Sequence, residues 1–62
     1  MKIQKTYENG ACVIMDNCRV ESWLGQSVII GTVTDYKGLE DWATIGEEGI
    51  VINSELVKVL DL

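Results

Sequence analysis

The sequence predicts a small all-β protein whose strands curl into a strongly bent barrel. Three observations carry this. Val, Ile and Thr concentrate in short runs, as suits a pleated, half-buried surface. Gly and Asn separate those runs at turn-like spacing, as in "YENGAC" and "TIGEEGIVI". No stretch holds an apolar period of 3.6 over the length a helix needs. A Gly inside the longest β-forming run, "SVIIGTVTDY", marks a bend that lets one strand serve both sides of a barrel. In a chain this small, closing the sheet also disposes of exposed strand edges.

The elements follow in order. Asn9-Gly10 in "KTYENGACVIM" predicts a hairpin with a two-residue loop, because both residues tolerate positive φ. Tyr7 then faces Cys12 and Lys5 faces Ile14. Ile3 and Tyr7 share a sheet face with Cys12 and Ile14, while Val13 and Met15 point the other way. Residues 11 to 15 are apolar on both faces and suit a central strand. Asp16-Asn17 reads as a turn, and "CRVESWL" as a third strand with Trp23 on the face of Arg19 and Glu21. Gly25-Gln26 makes a tight connection to a fourth strand, residues 27 to 36. There Val28, Ile30, Thr32 and Thr34 oppose Ile29, Gly31, Val33 and Asp35. "WATIG" and "IVIN" are two further strands. "NSELV" is one helical turn capped by Asn53 or Ser54, and "VKVLDL" is the last strand.

A length of 62 residues bounds the chain to a single domain, residues 1–62, with an N-terminal hairpin over 1–18 and a barrel core over 19–62. Apolar residues make up 47% of the chain, enough to offset chain entropy. Ten acids against five bases give a net charge of −5. That balance favours basic or neutral partners over phosphate backbones. "MKIQKTYENG" holds no apolar leader segment, and a cytoplasmic location is expected. Cys12 and Cys18 then stay reduced and serve as small packing residues. They do not have C-x-x-C spacing, and no His accompanies them, which argues against zinc.

"VESWLGQSVIIGTVTD" resembles the first motif of Sm-like proteins, with Gly25, Gly31 and Asp35 at the matching positions. "INSELVKVLDL" is similar to the close of Sm-like and Src-homology-3-like barrels, where a single 3₁₀ turn precedes the last strand. The resemblance spans residues 19–62. It implies a five-stranded barrel and edge-to-edge assembly into a homo-oligomer. The Gly-to-Gly spacing, the position of the Asp and the missing Arg-Gly dipeptide differ from the Sm pattern, so no RNA-binding residue is carried over.

The candidate chemistry is narrow. Without His, and with Ser22, Ser27 and Ser54 lacking an evident base, no nucleophilic site is predicted and an enzyme is not expected. Asp35, Glu40, Asp41, Glu47 and Glu48 lack metal-loop spacing and read as a solvated rim, so neither a metal nor a cofactor is expected. Tyr36 and Trp42 flank the acidic loop 37 to 41, and Trp23 lies on an outer face or at a barrel rim. Trp23, Tyr36, Glu40, Asp41 and Trp42 therefore form the predicted binding surface of a non-enzymatic protein-interaction or assembly module. Exposed aromatics beside acids attract Lys or Arg. The apolar C-terminus from Leu56 to Leu62 points to self-association. The alternative is an oligomeric, Sm-like RNA-binding protein that gathers Lys2, Lys5 and Arg19.

Overall fold

The computed structural model describes residues 1–38 and 44–62. It is all-β, with five antiparallel strands: β1 Ile3–Thr6, β2 Cys12–Trp23, β3 Gln26–Lys37, β4 Glu48–Ile52 and β5 Val57–Val59. They form one sheet in the order β4-β3-β2-β1-β5. β2 is the middle strand, as its two apolar faces require. The edge strands β4 and β5 do not pair with each other, so the sheet is open between them.

The first hairpin departs from expectation by one residue. Thr6 faces Cys12, Lys5 faces Val13, and Ile3 faces Met15. The Tyr7 N–H donates to the Ala11 carbonyl and the Gly10 N–H to that of Tyr7, which leaves a three-residue loop over Glu8, Asn9 and Gly10. Gly10 has a φ of 87°, the left-handed residue that ends such a loop. The Asn9 side chain accepts from the Ala11 N–H instead of sitting in a type I′ turn. A slip of one residue turns every side chain over. Ile3, Lys5, Val13 and Met15 therefore share the inner face, and Cys12 and Ile14 lie on the other.

Asp16-Asn17 is a bulge inside one continuous strand rather than a turn between two. Asp16 pairs with Thr32 and Arg19 with Ile30, so β2 holds one extra residue there. Asn17 takes the positive φ, 53°. Gly31 lies opposite this bulge. A Cβ on it would stand 2.5 Å from Cys18 Sγ and 2.8 Å from the Asp16 carbonyl oxygen. The mid-strand glycine thus permits a close approach where β2 doubles its residues, which is the bend the sequence signalled. A second shift pairs Met15 with Val33 but Ile14 with Asp35, leaving Thr34 as the extra residue of β3. It moves Asp35 to the outer face and brings Tyr36 to the inner one, opposite Val13.

The β2–β3 connection is Leu24-Gly25, one residue earlier than expected, and both residues have positive φ. Of the predicted "WATIG" strand, residues 44–46 form a turn, and Trp42 and Ala43 lie outside the described residues. Ser54–Leu56 is a turn closed by a Val57 N–H donating to the Ser54 carbonyl, with Ser54 Oγ accepting from the Leu56 N–H. The last strand stops at Val59, short of Leu62.

The core gathers Ile3, Val13, Met15, Ile29, Val33 and Val51, with Tyr7, Cys18, Tyr36, Val57 and Val59 packed around it. All five strands contribute to it. The small sheet curls over its own inner face and needs no second layer.

Candidate functional site

Alternation along β3 creates a second apolar surface. Ile29 and Val33 face the core, so Val28 and Ile30 face outward, yet they are 6% and 1% exposed. Glu21 and Ile52 flank Val28 on the neighbouring strands, and Arg19 and Ile50 flank Ile30. Ile50, Ile52 and Trp23 on this outer face are 42%, 50% and 46% exposed. The result is an apolar strip along β4 and the end of β2, bordered by charge. Arg19 pairs with Glu21 and, at 3.8 Å, with Glu48. The Trp23 indole N–H donates to Glu21 at 3.2 Å. Hydrogen bonds from Arg19 and then Trp23 hold the Glu21 carboxyl below its usual range, and the same pairing raises Arg19.

A groove of about 910 Å³ opens where this strip meets the first hairpin. Residues Lys5 to Asn9 form one wall, and Ile50 to Ile52 with Ser54 to Leu56 the other. Lys5 crosses between the walls. It is 6% exposed and sits on the inner face of β1. Its ammonium donates to the Ile52 carbonyl at 3.1 Å and to Ser54 Oγ at 2.7 Å. The ammonium also lies 5.7 Å from the centre of the Tyr7 ring. Burial raises the Tyr7 hydroxyl above the usual phenol range. Lys5 thus links β1 to the end of β4, where no strand pairing does.

The residues expected to bind are placed apart. Trp23 is on the outer face, as its alternation with Ser22 implied. Tyr36 is half-buried on the inner face, against the core. Glu40, Asp41 and Trp42 lie outside the described residues. The three bases of the RNA reading are also divided in role. Lys5 is committed to Ile52 and Ser54, Arg19 is paired with two carboxylates, and Lys2 is half-buried beside β1. No group of His, Cys, Asp and Glu among the described residues is arranged to hold a metal ion. No helix among them is long and apolar enough to cross a membrane.

Sequence reasoning missed Ile50 and Ile52, and named Lys5 only as a base for nucleic acid. "GIVIN" is apolar at three consecutive positions, so one face had to be uncovered if its strand ended the sheet. That signal was legible. The role of Lys5 was hidden because its partners, the Ile52 carbonyl and Ser54 Oγ, lie at the far end of the chain and are set by the fold. No family model matches the chain, and no curated protein or solved structure matches it either.

Proposed function

We propose that the chain is a non-enzymatic protein-interaction module that assembles through the outer face and edge of β4, an edge strand among the described residues. One observation carries this: Trp23, Ile50 and Ile52 stand exposed on one face around the buried Val28 and Ile30, beside an edge strand. Such a strip, rimmed by Arg19, Glu21 and Glu48, has the composition of an interface centre with a polar border. Self-association suits a chain whose core is small. We also infer kinship in architecture with Sm-like and Src-homology-3-like barrels, supported by the strand order and by the single turn before the last strand. The RNA alternative draws no comparable support, since two of its three bases already have partners.

The test is the solution mass at two protein concentrations, for the parent chain and for a Trp23→Ala/Ile52→Ser variant. A mass that rises above 6.9 kDa with concentration in the parent, and that remains at 6.9 kDa in a folded variant, is the expected result. Assembly that persists unchanged in the variant sinks the role of this face. A parent that remains at 6.9 kDa removes self-association.

A further inference from the structure

We propose that the groove between β4 and the first hairpin takes an extended segment of another protein that carries Lys or Arg next to an apolar side chain. This rests on the interaction reading above and names its partner. The backbone comes first. Val33 N–H bonds the Glu47 carbonyl and Asn53 N–H bonds the Ser27 carbonyl, so odd-numbered residues of β4 face β3 in the ladder. The N–H and C=O groups of Ile50, and the N–H of Ile52, therefore point away from the sheet. An added strand can pair with them. The Ile52 carbonyl is already taken by the Lys5 ammonium, so such a strand is held chiefly through Ile50.

The walls come second. Ile50, Ile52 and Leu56 are 42%, 50% and 43% exposed along the groove, ready to bury an apolar side chain. Charge decides the rest. Among the described residues, three charged ones line the groove: Lys5, Glu8 and Glu55. Lys5 is buried and its ammonium engaged, whereas Glu8 and Glu55 are exposed. What an incoming segment meets is thus two carboxylates, on a chain whose net charge is −5. Basic segments are steered toward it and acidic ones repelled.

The experiment titrates the ¹⁵N-labelled chain with a blocked eight-residue peptide alternating valine with lysine or arginine. A matched peptide with glutamate at the basic positions is the control. Shifts centred on the Ile50 and Leu56 amides with the basic peptide alone are expected, weakening as salt rises. A Glu8→Lys/Glu55→Lys variant, altered only at exposed positions, is expected to bind about tenfold more weakly. Equal binding of both peptides, or no shift at the groove amides with either, overturns the assignment. The mass measurement on a Trp23→Ala variant, altered only outside the groove, reads the outer face separately, so failure of the groove and failure of the interaction reading give different results.

Discussion

Gly31 and Gly49 face each other across β3 and β4, and each leaves room for something different. At Gly31 a methyl would meet Cys18 Sγ and the Asp16 carbonyl, the latter a fixed backbone atom. At Gly49 it would meet Val33 Cγ2 at 2.9 Å and Met15 Sδ at 3.0 Å, the latter on a side chain that can turn aside. Gly31→Ala is therefore expected to lower stability by about 2–3 kcal/mol, and Gly49→Ala by about 1 kcal/mol. Chemical denaturation of the two variants measures the order. If Gly49→Ala proves the more damaging, the bulge is not what requires the glycine at 31. Gly31 was legible in the sequence as a bend, because a glycine in so strong a β run has few other uses. Its partner atoms were not legible, since they depend on the extra residue in β2.

The long β2–β3 hairpin shows the same division at the scale of an element. Its strands could be read from their composition, but their register could not. The sequence presents two adjacent polar residues, Asp16 and Asn17, which serve a turn or a bulge equally well. Only pairing with β3 over its whole length selects the bulge. At the hairpin tip Leu24 adopts a φ of 51° and is fully exposed, at 107%. A leucine there bears the steric cost of left-handed backbone and gains no burial. Leu24→Asn is expected to raise stability by about 0.5–1 kcal/mol, read as a higher melting temperature. A fall in melting temperature would mean that Leu24 is covered in solution. The β1–β2 hairpin teaches the complement. Asn-Gly announced the turn correctly, yet the loop gained one residue, and that residue decided which face of β2 joins Ile3 on the inner side. The reading of Lys5 as an exposed base failed for another reason, its long-range partners at Ile52 and Ser54.

For the molecule as a whole, the titrating groups set an expected stability profile. The carboxyl of Glu21 has a lowered pKa in the folded chain, so its contribution is present above the ordinary carboxylate range and is lost as acid protonates it. Cys18 and Tyr7 have raised pKa values, chiefly through burial. Each favours the folded state below its ordinary ionisation range, and that advantage disappears as pH rises through the raised value. A plot of melting temperature against pH is expected to be flat near neutrality and to fall on both sides. Cys18→Ala is expected to make the alkaline fall shallower. An alkaline limb that is identical in this variant would remove the thiol from the account.

The pairing of β1 with β5 brings the first and last strands side by side, and the Leu60 N–H donates to the Lys2 carbonyl. Residues far apart in the sequence are thus neighbours, and the chain's path is nearly a ring. A short Gly-Ser linker joining residue 62 to residue 1 would complete that ring, and a cut between Leu24 and Gly25 would reopen it at an exposed tip. Such a circular permutant keeps every ladder of the sheet while converting β1 and β5 into a local hairpin. It is expected to fold to the same structure, but more slowly than the parent, because the extensive β2–β3 pairing, local in the parent, would become the pairing of its first and last strands.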